Sequence, residues 1–171
     1  PEFPSAVQIV AELRQTFGLS DTKIVLITNA AFLHRPSVRE ALSLMDANNG
    51  EIWAKHDAGT EDYFRQINRA TVPLERILDN ILVTSQVRPV VIQSLWMKLH
   101  DELPPQSEVE AFARRLAWLV RAGGRIRLVQ VYTVARQTAE PFVAPLEDDV
   151  LRGIAQQIRA IVDVPVEIFG S

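Results

Sequence analysis

Short apolar runs alternate with amphipathic stretches along this chain, and the alternation predicts a repeating βα pattern. Lys23 to Ala30, Pro89 to Met97 and Arg125 to Val134 are rich in Val, Ile and Leu, and Val164 to Phe169 closes the chain in the same way. Glu51 to Ala58 is a run apolar in its first half, set between Asn49-Gly50 and Ala58-Gly59. Near-continuous apolar segments bounded by turn residues read as strands buried on both faces. Between them lie helical stretches: Ser37 to Asn49, Glu61 to Asn68, Pro73 to Thr84, a segment bearing Val109, Phe112, Leu116 and Leu119, and Glu147 to Val162 with Val150, Leu151, Ile154, Ile158 and Ile161. Ser37-x-x-Glu40 and Ser107-x-x-Glu110 have the form of capping boxes, and Gly123-Gly124 closes the helix before Arg125. Strands joined by helices predict an α/β fold with a parallel sheet and right-handed crossovers, one domain over residues 1–171.

The first helix breaks the pattern. Ser5 to Gly18 reads as a helix capped by Ser5, with Ala6, Val10, Leu13 and Phe17 in one apolar stripe and Gly18 in the closing turn. Such a stripe needs a surface to cover, and in a βα chain the preceding strand supplies part of it. The chain is therefore expected to begin inside a βα unit. An unpaired sheet edge and bare apolar helix faces would then lead to self-association.

Composition narrows the function classes only modestly. A net charge of -3 over 171 residues, with 47% hydrophobic and 23% charged side chains, describes one ordinary core and no basic excess to neutralise phosphates. No run approaches the roughly 20 apolar residues of a membrane helix, and a cytoplasmic setting is expected. Cysteine is absent, so these residues contain no disulfide, thiolate nucleophile or cysteine-held cluster.

Candidate chemistry collects at the C-terminal ends of the predicted strands. Asn29 ends the first, Lys55 and Asp57 the second, Gln93 and Ser94 the third, Gln130 and Tyr132 the fourth. Ligands of parallel α/β folds bind at that edge, whether the sheet is open or curled into a barrel. Residues two apart share a face of a strand, so Lys55 lies with Asp57 and Gln130 with Tyr132. Any one of these side chains has a plain alternative role in turns and caps; four strands behaving alike favour a site.

Lys55 has two chemical readings. Desolvation would lower its pKa and make it an imine-forming nucleophile, whereas the Asp57 carboxylate would keep it charged, for an ion pair or a substrate carboxylate. His34, His56 and His100 have no metal-ligand spacing, and Trp53, Trp96 and Trp118 fall in regular elements where core packing is the default. No glycine-rich phosphate turn or nucleophile elbow is present.

The order of segments resembles a known family. Ile27-Thr28-Asn29-Ala30, His34-Arg35-Pro36-Ser37-Val38-Arg39, Trp53-Ala54-Lys55-His56-Asp57-Ala58-Gly59-Thr60 and Phe64-Arg65-Gln66-Ile67-Asn68-Arg69 are similar to the middle of radical S-adenosylmethionine proteins of the iron-sulfur oxidoreductase group. Val91-Ile92-Gln93-Ser94 and Val129-Gln130-Val131-Tyr132-Thr133-Val134-Ala135-Arg136 look like its later strands. The resemblance implies a partial, open (β/α) barrel in which a 4Fe-4S cluster reductively cleaves S-adenosylmethionine, with an electron donor serving the cluster.

The family's three-cysteine cluster loop and Gly-Glu-Pro motif have no counterpart here, so the chain corresponds to the C-terminal part of such a catalytic domain, inactive alone and without metal ligands of its own. By the same layout Asn29, Lys55 and Asp57 would stand near the methionine carboxylate and ribose, and Gln93, Gln130 and Tyr132 near the adenosine or substrate. A tRNA base, a peptide and a small metabolite all suit the family as substrate. Two other classes stay open: a cofactor-independent barrel enzyme using Lys55 and Asp57, and a non-catalytic small-molecule or partner-binding module.

Overall fold

The computed structural model describes residues 2–170. Its elements run α1 (Glu2–Thr16), β1 (Ile24–Thr28), α2 (Pro36–Asp46), β2 (Gly50–Lys55), α3 (Glu61–Asn68), α4 (Leu74–Val87), β3 (Val90–Leu95), β4 (Lys98–Leu99), α5 (Gln106–Arg121), β5 (Ile126–Tyr132), β6 (Val143–Ala144), α6 (Asp148–Ile161) and β7 (Val166–Phe169). The main sheet has the order β1-β2-β3-β5-β7, parallel throughout. Each crossover steps to the next strand in one direction. Right-handed crossovers of that kind place α2, α4, α5 and α6 on a single face, the arrangement of a partial barrel.

Strand alternation divides the sheet into two different surfaces. Ile52, Ala54, Ile92, Val129 and Val131 face the helices, each 2% exposed or less, and meet Leu42, Leu78, Leu116 and Ile158, each 1% exposed or less. Burying a side chain of this size stabilises by about 1.5–3 kcal/mol, so this layer holds the fold together. The opposite surface carries Trp53, Lys55, Gln93, Gln130 and Tyr132, the open side of the partial barrel.

Several local expectations are corrected. Helix α1 starts at Glu2, not Ser5, because Pro4 in the first turn lacks an N–H that the helix would leave unpaired anyway. Its buried residues are Val7 and Ala11, whereas Val10, Leu13 and Phe17 are 43%, 50% and 69% exposed. The helix leans on α2 at the β1 margin, and among the described residues no strand lies beyond β1 to receive the rest of the stripe.

Neither capping box forms. Arg35 and Pro105 occupy the N-cap positions, which puts Ser37 and Ser107 at the second position of their helices. Pro36 takes the first helical position of α2, where its fixed φ suits it. Thr60 does cap α3, accepting from Tyr63 N–H at 3.3 Å. Strand β2 ends at Lys55 rather than Ala58, although His56 N–H still donates to the Gln93 carbonyl at 2.9 Å. An unforeseen antiparallel ribbon, β4 with β6, joins the loops beyond the strand ends.

Candidate functional site

The site is built on strand register. Lys55 pairs with Gln93, Gln93 with Gln130 and Gln130 with Glu167, so four polar side chains form one row across β2, β3, β5 and β7. An apolar row of Trp53, Val91 and Leu128 lies beneath it, toward the strand N-termini. Leu95, Tyr132 and Phe169 form the row above.

Lys55 Nζ donates to Tyr132 Oη at 2.6 Å and stands 3.6 Å from Asp57 Oδ1. Burial works against the ammonium charge, but the Asp57 carboxylate and the Tyr132 hydrogen bond outweigh it and hold the lysine pKa above its ordinary value. Imine chemistry needs the free amine, so this environment opposes the nucleophilic reading and favours a fixed cation.

Asp57 follows the end of β2 and is 3% exposed. Its Oδ1 accepts from Leu95 N–H at 2.9 Å and its Oδ2 from Asn68 Nδ2 at 3.1 Å, tying together the ends of β2, β3 and α3. Those two bonds satisfy the buried carboxyl group, which also orients Lys55. Gln93 Nε2 donates to Gln130 Oε1 at 2.9 Å.

Asn29 is exposed, and its Oδ1 accepts from Ala31 N–H at 3.1 Å, closing the turn after β1. That turn places Ala30 at φ 62°. It is held from below by the buried Asn80, whose Nδ2 donates to the carbonyls of Ala30 and Ala31 at 2.8 and 3.1 Å. Asn29, Phe32, Lys55, Asn68 and Arg69 line a hollow of about 370 Å³. A larger hollow of about 560 Å³ lies against the loop after β5, where Arg136 and Gln137 are exposed and no buried charge lines it.

Lys55, Asp57, Gln93, Gln130 and Tyr132 thus come together on the open face, with Asn29 across the hollow from Lys55. Ser94 does not join them: it alternates to the helix side and is fully buried. His56 likewise packs inward, stacked on Phe112 at 4.8 Å, and burial, aided by the Arg115 charge, lowers its pKa to about 3. His34 is exposed and His100 stacks on Phe142, and among the described residues no three His, Asp or Glu side chains gather as metal ligands. Of the three tryptophans only Trp96 is core, edge-on to Phe112 at 5.4 Å; Trp53 lies half-buried on the open face and Trp118 is 38% exposed.

Two supporting residues escaped the sequence reading, Asn80 and Glu108. Glu108, 4% exposed on α5, accepts from Gly59 N–H, from Thr60 N–H at 2.9 Å and from Thr60 Oγ1 at 2.8 Å. It therefore fixes the turn that leads from Asp57 into α3. Its signal was present: Glu108 stands four residues before Phe112 and eight before Leu116, a charge in phase with an apolar stripe.

Comparison with known proteins adds the architecture. No protein-family model and no curated protein matches the chain. A crystal structure of a domain of pyruvate-formate lyase-activating enzyme from Bacteroides vulgatus matches with a TM-score of 0.67, covering 99% of this chain and 95% of that one at 12% identity. The likeness is one of fold. It agrees with the parallel sheet, the single helical layer and the open face, and among the described residues no helix is long and apolar enough to cross a membrane.

Proposed function

We propose that this chain is the cofactor- and substrate-binding part of a radical S-adenosylmethionine catalytic domain. The observation that carries the reading is Lys55: a lysine held charged by Asp57 and Tyr132 at the C-terminal edge of a parallel partial barrel, facing a hollow shared with Asn29. That combination suits the carboxylate of an amino-acid ligand, since one N–H of the ammonium is bonded to Tyr132 and others remain for the ligand. The sequence resemblance and the shared fold support the same assignment.

The two implied groups fit these residues differently. S-adenosylmethionine fits: Lys55 would meet its carboxylate, Asn29 its polar edge, and Gln93, Gln130 and Tyr132 would continue along the open face toward the adenosine or the substrate. When bound in a complete site it supplies radical chemistry. The 4Fe-4S cluster does not fit, because the 171 residues include no cysteine to hold it. Its ligands and electron donor belong outside these residues, so this stretch binds and orients but does not carry out cleavage. Asp57 acts by positioning the ammonium, Tyr132 by limiting its rotation. A cytoplasmic setting goes with this reading.

Isothermal titration with S-adenosylmethionine tests it. Binding is expected, and Lys55→Met should weaken it by about tenfold to a hundredfold, the loss of a charge-assisted hydrogen bond. No binding, or equal binding by Lys55→Met, overturns the reading.

A further inference from the structure

We infer that the Gln93–Gln130 pair is a subsite for a planar amide edge: a carboxamide, a lactam or the hydrogen-bonding edge of a nucleobase. The inference rests on the binding reading above and assigns this part of the open face to the substrate. Both glutamines occupy the same register level of adjacent strands, and one hydrogen bond of 2.9 Å joins them. An amide pair joined once is half-used. It leaves the carbonyl oxygen and the second N–H of Gln93 and the NH2 group of Gln130 for a third partner.

Gln130 is only 8% exposed, yet among the described residues its Nε2 bonds to no protein group, and it is not sealed from the open face. A mostly buried amide whose donor is unused and still reachable is available to a ligand. The free acceptor and the free donor belong to one hydrogen-bonded pair at one register level, a set that matches a group offering both an N–H and a C=O. Apolar and aromatic neighbours in the rows above and below, Leu95 with Tyr132 and Val91 with Leu128, suit the faces of a flat group. Lys55 at one end of the polar row and Glu167 at the other favour a ligand that is neutral at its centre.

Nicotinamide and N,N-dimethylnicotinamide are the probes, since methylation removes the donor while keeping ring and carbonyl. In 1H–15N spectra of the whole chain, nicotinamide should shift the side-chain amide signals of Gln93 and Gln130 saturably. The dimethyl compound should bind about fivefold to tenfold more weakly. Gln93→Met and Gln130→Met should each reduce nicotinamide affinity by a similar factor, with the backbone fingerprint reporting that the variant is folded. Equal affinity for the two probes, or shifts that map away from these side chains, overturns the assignment, and the two-probe comparison on the unmodified chain decides it even where a variant fails to fold. S-adenosylmethionine binding is read separately through Lys55, so failure of that reading is distinguishable from failure of this one.

Discussion

Replacing Glu108 with Met tests how the site is held in place. The methionine keeps the length of the side chain and removes both acceptor oxygens, leaving the Gly59 and Thr60 donors without their partner. Gly59 is buried, so its stranded N–H costs about 1–3 kcal/mol. Thr60 is exposed and turns its two groups to water, losing about 0.5–1 kcal/mol for each bond exchanged. Releasing the carboxylate from its own desolvation offsets part of this. The net expectation is a loss of about 2–4 kcal/mol, and for a chain of 171 residues a fall in Tm of about 5–15 °C.

Glu108→Gln is the control. Its carbonyl can still accept from both backbone N–H groups and its NH2 can donate to Thr60 Oγ1, so the loss should stay below about 1.5 kcal/mol. Urea unfolding followed by tryptophan fluorescence measures both variants, and a common m-value would place the change in stability rather than in the unfolded chain. Tyr63 supplies a second readout: burial, and then the Glu108 charge, push its pKa up to about 12, so its phenol should titrate lower in the Gln variant. A Met variant within about 0.5 kcal/mol of the parent would refute the clamp, because surface substitutions alone produce changes of that size.

Other outcomes follow from the same packing. His56 is neutral in the fold with a pKa of about 3 against 6.5 when free. The unfolded chain therefore takes up the proton first. Stability is complete well above pH 6.5 and falls on acidification toward pH 3, by about 1.6 kcal/mol between pH 6.5 and 5; His56→Phe, which keeps the stacking on Phe112, should flatten that slope in acid denaturation. Gly59→Ala puts a Cβ 2.2 Å from Phe112 N and 2.6 Å from Ala111 C, helix backbone that cannot give way, and should cost about 3 kcal/mol by chemical denaturation. Gly153→Ala in α6 meets nothing within 4 Å and should gain about 0.5–1 kcal/mol. Sedimentation should reveal concentration-dependent self-association through the β1 edge, where Val25 and Ile27 are 39% and 57% exposed, and Ile27→Lys should suppress it; a monomer at every concentration would contradict this.

Much of the framework was legible in the sequence because doubly buried parallel strands and one-faced helices leave strong local patterns. Five apolar runs with helical stretches between them correspond to the five strands of the sheet; the alternation that joined Gln130 to Tyr132 holds within β5, whereas Asp57 comes beside Lys55 from just beyond the end of β2. Cap assignments were less legible. A Ser-x-x-Glu spacing is a local signal, and Pro36 and Pro105 shifted the helix starts by fixing backbone angles beside it. The stripe on α1 misled for another reason: an apolar face declares what it avoids, not where its neighbour stands.

Residue order alone determined the α/β class, the polarity of the strand ends and the absence of thiolates, since each follows from side-chain chemistry and near-neighbour spacing. Only the tertiary structure decided that Lys55 meets Tyr132 from 77 positions away, that Gln93 and Gln130 share one register level, and that Glu108 reaches across from α5 to hold Gly59 and Thr60. Those contacts depend on which strands adjoin and on how far each is displaced along its neighbour. Both are set by the packing of the whole helical layer against the sheet, a quantity that no short segment of the chain encodes.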